Sequence, residues 1–571
     1  MKRFKVFSLL LCVLLLCSTL TAGALAEGEE PVTITVGATC WTRMEPIPWY
    51  ETEVYKKVCE MANVKIEYIQ YDHELFNLAL ASGDLPDLMF VDYGDKLDDI
   101  VRSKIAMDLK PLLAEYAPNM LLDIYVQRDE LVSELKGGDD KALYFIAPYV
   151  GKEAARGDLD QWYCYNVRWD WYKEIGAPEI HNDQEYIDTL AAMVEAHPTT
   201  ENGEKVYALG VQDDLTQWYF RGCWVKPVSG NQWTFSGKQY MASYEDGHLI
   251  NGYTETDKSA YWTDMHFYNE LYKRGLLDPD SFTQTSDDYD SKVKAGRYAG
   301  TPTLSKSLYN TMVEENPDTL AGIVGVPTEN IVVFSEKKCA TGAFPTWFTF
   351  IPANSKNWEA ALRLMNVVHD LDVQRMLWSG IEGDTWNYVD GVASLTKKGA
   401  TLISNGGDEK AAYGLGIKVR PFTLLLNSFI GNDGYCLDLS DTDDMREKTL
   451  NGLYKDFCEF YGVQYPSQAF LPYVEDGRCI DLSNDCGQLV ATAMPSMPTD
   501  VARILEKCNN IIYRAIPKLV MAENDEEFNK IQVQVLDDLK AAGEADAWAW
   551  CQTEYNAAFE KIAPIFAAIT W

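Results

Sequence analysis

Residues 81–95 read Ala-Ser-Gly-Asp-Leu-Pro-Asp-Leu-Met-Phe-Val-Asp-Tyr-Gly-Asp, and this stretch decides the fold. A segment with helical apolar spacing ends here, because Gly83 can adopt the left-handed conformation that closes a helix. The apolar run 88–91 predicts a strand buried on both faces, with a polar loop after its carboxyl end. Ligands of open α/β sheets bind just outside such strand ends. The candidate ligand contacts at this position are Asp92 and Tyr93.

Strands and helices alternate before this stretch. Residues 32–38 (VTITVGA) predict a buried strand, residues 51–63 a helix, and residues 64–69 a second strand. Together with the opening stretch, this order gives two βαβ units and therefore a parallel sheet. Trp41 and Arg43 follow the first strand, so we expect them at the same ligand-binding edge.

The amino-terminal segment predicts export. Lys2, Arg3 and Lys5 precede an apolar run over residues 7–17, and Ala24-Leu25-Ala26 has the small-x-small pattern of a signal-peptidase site. We therefore expect a signal peptide over residues 1–26 and a mature chain that begins at Glu27. We expect no lipid anchor, since neither cysteine of this segment follows a small residue, and the protein would reside in a periplasm or outside the cell.

Composition excludes several partners. The chain has 50 basic and 86 acidic residues, a net charge of −36, which repels nucleic acid and anionic membranes. Thirteen cysteines occur, and the two at positions 12 and 17 fall in the predicted signal peptide. Eleven remain without a Cys-x-x-Cys motif, which argues against a disulfide framework. Cys479 and Cys486 could pair, but buried free thiols are the favoured interpretation.

The sequence carries no motif for a metal, a cofactor or a catalytic centre. The six histidines are scattered without metal-ligand spacing, and neither a Gly-x-Ser-x-Gly elbow nor a phosphate-binding Walker loop is present. Residues 197–205 lack the alternating oxygen ligands of a calcium loop and are better interpreted as an ordinary turn. We expect no cofactor and no metal.

Residues 81–87 (ASGDLPD) resemble the hallmark of extracellular solute-binding proteins of family 1, the receptors of ABC-type sugar importers. Other segments resemble words of the same family in the same order, so the resemblance covers almost the whole mature chain. These segments are 110–119, 140–148, 165–178, 275–279, 293–297, 350–361, 378–386 and 525–559.

This resemblance implies an α/β, two-lobed periplasmic-binding-protein-like fold (type II), with a hinge between the lobes and a helical carboxyl-terminal part. It implies a first lobe of residues 27–150 plus about 296–345. The second lobe would comprise residues 151–295 plus about 346–571, including the carboxyl-terminal helices. Two lobes that share a cleft can close on a ligand from both sides.

A sugar needs aromatic rings for its C–H faces and polar groups for its hydroxyls. Four candidates open the predicted second lobe, two follow the predicted strand 205–211, and two lie in a Gly-x-Glu-Gly word of the family. Each has core packing or a turn as its competing role. These candidates are Trp162, Tyr163, Asn166, Arg168, Trp218, Tyr219, Glu382 and Trp386.

The expected function is therefore the substrate-binding component of an ABC transporter. It would capture a mono- or oligosaccharide as a monomer and deliver it to membrane permease subunits, without catalysis. Two alternatives stay open: a secreted glycoside hydrolase, which needs a suitably spaced carboxylate pair, and the same receptor fold with a peptide or another polar solute as its cargo.

Overall fold

The computed structural model describes most of the chain from residue 30 to residue 571. The segments outside the described part are 41–43, 93–95, 155–163, 213–217, 219–224, 226–239, 244–245, 303–315, 317, 334–335, 340–346, 417–418, 443–444, 446, 448–449 and 482–484. Among the described residues, no helix is long and apolar enough to cross a membrane. The ten cysteines in this part of the chain form no disulfide bond.

The structure is mixed α/β. Its strands are β1 (Val32–Ala38), β2 (Val64–Gln70), β3 (Leu88–Val91), β4 (Gly151–Ala154), β5 (Tyr165–Arg168), β6 (Tyr240–Ala242), β7 (Leu249–Asn251), β8 (Gly300–Thr301), β9 (Ile323–Val326), β10 (Val332–Val333), β11 (Glu336–Cys339), β12 (Phe348–Phe350), β13 (Trp386–Val389), β14 (Val392–Leu395) and β15 (Ile480–Asp481). Its α-helices are α1 (Glu53–Ala62), α2 (His73–Ser82), α3 (Leu97–Arg102), α4 (Leu113–Tyr116), α5 (Asp123–Lys136), α6 (Trp169–Glu174), α7 (Asp183–Ala196), α8 (Ala260–Lys273), α9 (Ser286–Lys294), α10 (Trp358–Val368), α11 (Leu371–Ser379), α12 (Lys397–Asn405), α13 (Gly407–Tyr413), α14 (Gly452–Tyr461), α15 (Leu471–Glu475), α16 (Gly487–Ala493), α17 (Thr499–Val520), α18 (Asp525–Ala542) and α19 (Glu544–Ala567).

The first lobe is built on a four-stranded sheet in the order β12-β3-β1-β2. Strand β1 pairs in parallel with both β2 and β3, as the two predicted βαβ units require. Strand β12 pairs antiparallel with β3, with Phe348 opposite Val91. All four residues of β3 are buried, which explains their unbroken apolar run.

Residues 81–87 connect α2 to β3 and link three elements of the first lobe. Gly83 closes α2 with φ of +73°, and its N–H donates to the carbonyl of Ala79. The Asp87 carboxylate accepts hydrogen bonds from Thr35 in β1 and from Ser355 ahead of α10. Burial raises the pKa of Asp87, but these hydrogen bonds outweigh it and lower the pKa below its usual value. This aspartate therefore fixes β1, β3 and α10 together.

The second lobe has a three-stranded antiparallel sheet in the order β8-β5-β9. Its large hydrophobic core also takes in α8 and the carboxyl-terminal helices α17, α18 and α19. The predicted strand over residues 205–211 forms only isolated bridges, from Lys205 to Thr199, from Tyr207 to Tyr298 and from Leu209 to Leu277.

The structure differs from the predicted lobe boundaries at two segments. Residues 348–437 contribute to the core of the first lobe, whereas β8 and β9 belong to the sheet of the second lobe. The prediction assigned these segments to the opposite lobes. The pairing of β12 with β3, across more than 250 residues of sequence, places the segment that begins with β12 in the first lobe.

The chain crosses between the lobes near the antiparallel pair β4–β11. The carboxyl-terminal residues brace this crossing: the ammonium of Lys338 in β11 donates to the carbonyl of Ile569 at 2.8 Å. The backbone N–H of Thr570 donates to the side chain of Gln127 in α5 at 3.0 Å. Trp571 packs against the cores of both lobes.

A buried polar network lies between α5 and the end of α10. Arg128 is fully buried; its Nε donates to Asp129 at 2.6 Å, and its guanidinium lies 3.1 Å from Nε2 of His369. Nδ1 of His369 is 2.5 Å from the carbonyl of Met365. Since Nε2 must accept from arginine, His369 is neutral with its proton on Nδ1. Burial, and next the charge of Arg128, hold the pKa of His369 well below its usual value.

This histidine should make stability depend on pH. Because its pKa is lowered in the folded protein, the unfolded chain takes up the proton first, and the free energy of unfolding falls as the pH drops below about 6.5. We expect His369 to account for about 1.4 kcal/mol between pH 7.5 and pH 5.5, measured by urea unfolding. His369→Gln keeps an acceptor for Arg128 and should remove this part of the dependence.

The variant isolates His369 from its neighbour, since Asp129, whose pKa is raised by burial, acts in the opposite sense. The matched control is His181→Gln, at a partly exposed site. An unchanged pH slope in His369→Gln would contradict a buried neutral imidazole.

Candidate functional site

The carboxyl ends of β1 and β3 meet the chain crossing between the lobes. Ala38 and Phe90, near these two strand ends, share a small hydrophobic cluster with Tyr149, just before β4, and Cys339, at the end of β11. We define the cleft cluster as Cys40, Asp92, Tyr149, Trp347 and Arg420. These five residues come from five separate parts of the chain.

Asp92 is held at the end of β3 by the loop after β1. Its carboxylate accepts a hydrogen bond from the hydroxyl of Thr39, and its backbone N–H donates to the same hydroxyl oxygen at 2.9 Å. Gln70, at the end of β2, donates to the carbonyls of Ala38 and Cys40, each at 3.0 Å. The carboxylate is therefore held by the hydroxyl of Thr39, whose loop is in turn fixed by Gln70.

Cys40 lies between two opposite charges. It is 3% exposed, and burial raises the pKa of its thiol to about 11. The positive charge of Arg420 opposes that rise, and the carboxylate of Asp92 adds to it. Both charged groups thus lie close to this one sulfur.

Two aromatic rings support Arg420. Its guanidinium lies over the ring of Trp347, 3.9 Å from the ring centroid, which is a cation–π contact. The ring of Tyr149 lies 6.3 Å from that of Trp347. Burial raises the pKa of Tyr149, so its hydroxyl is neutral.

Arg420 keeps donors for a ligand. The guanidinium is half-buried, and within the described part of the chain no carboxylate oxygen lies within 4.0 Å of it. A guanidinium has five N–H donors, all of which can point to a ligand oxygen. The cleft cluster can therefore offer donors from Arg420 and acceptors from Asp92, while the buried rings of Tyr149 and Trp347 support the guanidinium.

Six of the predicted ligand contacts lie outside the described residues. They are Trp41, Arg43, Tyr93, Trp162, Tyr163 and Tyr219. Three of them flank the cleft cluster in sequence, since residues 41–43 follow Cys40 and residue 93 follows Asp92. For all six the prediction stands as made.

Asn166 and Arg168 of β5 make contacts inside the second lobe. Asn166 is fully buried, and its carbonyl accepts from the hydroxyl of Tyr186 at 2.7 Å. The guanidinium of Arg168 donates to both carboxylate oxygens of Asp170 and lies over the ring of Trp171, 3.9 Å from the centroid. These contacts fix the junction between β5 and α6.

Trp218 lies in the core of the second lobe. It is 1% exposed, and its ring stacks on Phe282 with a centroid distance of 5.1 Å. The ring of Tyr268 meets it edge-on at the same distance. This geometry favours the packing role that competed with ligand contact.

Glu382 and Trp386 follow α11 in the first lobe. Glu382 is exposed, whereas Trp386 is 6% exposed and its Nε1 donates to the carbonyl of Gly380 at 2.9 Å. Trp386 packs with Ala393 and Leu439 in a cluster separate from the cleft cluster. Of the described candidates, the structure brings only Asp92 into the cleft cluster.

Sequence reasoning missed Tyr149, Trp347 and Arg420. Trp347 did leave a signal: it directly precedes the apolar strand β12, whose antiparallel pairing carries its first residue to the carboxyl end of β3. Tyr149 immediately follows the family-like segment 140–148. Arg420 lies in no recognisable pattern, so only the fold reveals it.

Among the residues described, no group of three or more histidine, cysteine, aspartate or glutamate side chains could hold a metal ion. Residues 199 and 205 form an isolated antiparallel bridge, and the N–H of Thr200 donates to the carbonyl of Glu204 at 2.8 Å. This is the geometry of a closed turn.

Comparison with known proteins supports the fold. The chain is 21% identical over 346 residues to the lipoprotein LipO of Bacillus subtilis, covering 58% of this chain and 62% of that protein. It is 22% identical over 258 residues to the fructooligosaccharide ABC transporter substrate-binding protein FusA of Streptococcus pneumoniae, covering 42% and 44% of the two chains. The matched part thus spans less than two thirds of each relative. No protein-family model matches the chain.

Solved structures match over nearly the whole chain. The alginate-binding protein AlgQ2 without calcium has a TM-score of 0.57 at 17% identity, covering 92% of this chain and 98% of that one. FusA of S. pneumoniae in complex with kestose has a TM-score of 0.57 at 16% identity, with coverages of 93% and 100%. A solute-binding protein from Bifidobacterium longum infantis, described as binding HMO, has a TM-score of 0.56 at 14% identity, covering 92% and 99%.

These matches show the two-lobed fold of periplasmic-binding-protein-like solute-binding proteins. The predicted fold class and the resemblance to solute-binding proteins of ABC transporters are confirmed. The proteins named above that have a stated role are binding proteins rather than enzymes.

Proposed function

We propose that the protein is the substrate-binding component of an ABC transporter and captures an oligosaccharide in the cleft between its lobes. The observation that carries this proposal is the cleft cluster, in which Arg420 and Asp92 flank the same buried thiol at the ligand-binding edge of the sheet. Sugar hydroxyls donate to carboxylates and accept from guanidinium groups, so a polyol matches both.

The fold supplies the capture mechanism. A ligand that touches both lobes is held more tightly by the closed form than by the open form, and this difference shifts the equilibrium towards closure. The cleft cluster forms the first-lobe side of the site. Segments 155–163 and 219–224, which carry predicted contacts of the second lobe, would supply the other side.

The wider role is part of the same proposal. The protein would be exported, act as a monomer and hand its cargo to membrane permease subunits. It would release the sugar chemically unchanged, since its relatives of known role bind rather than convert their ligands.

A melting-temperature screen against oligosaccharides tests the cargo. A ligand at 100 times its dissociation constant stabilises the folded state by about 2.7 kcal/mol. With an unfolding entropy of about 2.1 cal/mol/K per residue, a chain of this length should melt about 2 °C higher with its sugar. Calorimetric titration of each positive sugar then gives its affinity.

The controls separate the alternatives. Peptides of similar size, screened in parallel, should leave the melting point unchanged, and a shift with peptides alone would contradict a saccharide cargo. Sugar recovered after incubation should be intact by mass spectrometry. Hydrolysis that scales with protein concentration would establish the glycoside hydrolase instead.

A further inference from the structure

A groove of about 920 Å³ lies between α17 and α18 on the second lobe. Its apolar floor consists of Ile511 and Ala515 from α17 and Ile531 and Val535 from α18. No residue of the cleft cluster contributes to it. The proposed sugar capture therefore does not use this groove.

A row of cations borders the groove. Lys507, Arg514 and Lys518 line it from α17, and Arg503 extends the row by one turn. At 3.6 residues per turn these four positions fall within about 60° of the helix circumference. All four side chains are exposed. Helix α17 thus presents one cationic stripe beside an apolar surface.

The stripe is unusual for this protein. The whole chain has a net charge of −36, yet within the described residues none of these four cations has a carboxylate oxygen within 4.0 Å. The opposite wall carries Lys530 together with Glu527 and Asp538. Acidic side chains are abundant elsewhere on the surface, but they do not neutralise this row.

We propose that the groove docks an amphipathic helix of a partner protein, with its apolar face on the groove floor and its acidic residues opposite Lys507, Arg514 and Lys518. From Lys507 to Lys518 the groove is about 16 Å long, which matches three turns of helix. Amphipathic helices bind grooves of this kind through apolar anchors three and four residues apart. Complementary charge sets which helix binds and how fast.

The recessed floor favours a helix over a membrane surface. A flat anionic bilayer would reach the exposed cations but leave the apolar floor unfilled. The remaining acidic surface of the protein would also repel it. An amphipathic helix with acidic residues would cover the apolar floor and also pair with the cations of the stripe.

Two designed peptides test the proposal on the full-length protein. Both have 18 residues with leucines at helical spacing; one carries glutamates beside the leucines, and the other carries lysines at the same positions. By fluorescence anisotropy the glutamate peptide should bind saturably and at least about tenfold more tightly than the lysine peptide. Its affinity should fall as salt is raised, because the charges are exposed.

Variants locate the binding. The triple variant Lys507→Glu, Arg514→Glu, Lys518→Glu should weaken binding of the glutamate peptide by at least about tenfold. Ile531→Glu should weaken both peptides, because it places a charge in the floor. The matched control replaces three exposed lysines of the first lobe with glutamate, at Lys65, Lys110 and Lys397. This equal change of charge should leave the affinity for the glutamate peptide unchanged. Melting curves verify that each variant is folded.

Equal binding of the two peptides would overturn the proposal, as would an equal loss in the control variant. Phosphatidylglycerol vesicles form the third arm. If the protein ignores both peptides but binds these vesicles through the same three cations, the stripe is a lipid contact and the helix proposal fails.

Discussion

Replacing Arg420 with alanine should weaken oligosaccharide binding by about 30- to 1,000-fold. The guanidinium lies on Trp347 and close to the thiol of Cys40, but has no carboxylate partner within the described part of the chain. Its donors are therefore available to a ligand, and truncation of an anchor of this kind costs about 2–4 kcal/mol of binding free energy. Calorimetric titration with the sugar found in the melting screen measures the loss.

Arg363→Ala is the matched control for this variant. Arg363 belongs to the same lobe, but its Nε donates to the carbonyl of Ala62 at 2.7 Å, just before the amino end of β2 and at the opposite edge of the sheet. Its loss should leave the affinity unchanged. Unaltered binding by Arg420→Ala, in a protein that melts normally, would exclude the cleft cluster from the site.

Trp218→Ala should lower the free energy of unfolding by about 3–5 kcal/mol. The ring is 1% exposed and packed between Phe282 and Tyr268, so truncation leaves a cavity in the core of the second lobe. Urea unfolding monitored by circular dichroism gives the change, and calorimetric titration at low temperature gives the affinity of the folded fraction.

Phe460→Ala provides the comparison. This aromatic side chain also belongs to the second lobe but is 48% exposed, so its loss should cost about 1 kcal/mol or less. If Trp218→Ala instead keeps its stability and loses sugar affinity, the tryptophan turns towards the ligand in the binding form, and the sequence-based prediction holds.

Local sequence was sufficient to predict strands β1, β2 and β3 of the first-lobe sheet. The apolar runs of β1 and β3 and the stop at Gly83 are local signals, and they led directly to Asp92. The identity of β12 as the partner of β3 is not a local signal, since it depends on pairing across more than 250 residues. The lobe boundaries therefore needed the three-dimensional structure.

The residues of the cleft cluster show the same difference between local signals and tertiary contacts. The position of Asp92 at the end of β3 could be predicted because it follows a recognisable strand, whereas Arg420 joins the cleft cluster through tertiary folding alone. Trp218 illustrates the opposite difficulty. Its position after an apparent strand end resembled a ligand contact, but an aromatic residue in a core and one in a binding pocket have the same sequence signature. Burial alone distinguishes them.

The free thiols give the molecule its own chemical reporters. Burial raises the pKa of the Cys40 thiol to about 11 and that of Cys551 in α19 to about 12. At pH 8 only about one Cys40 in a thousand is a thiolate, and the thiolate is the form that alkylating reagents attack. Alkylation of the native protein therefore proceeds through transient local opening. Cys40 reports on opening at the cleft cluster and Cys551 on opening of the second lobe, without any engineered label.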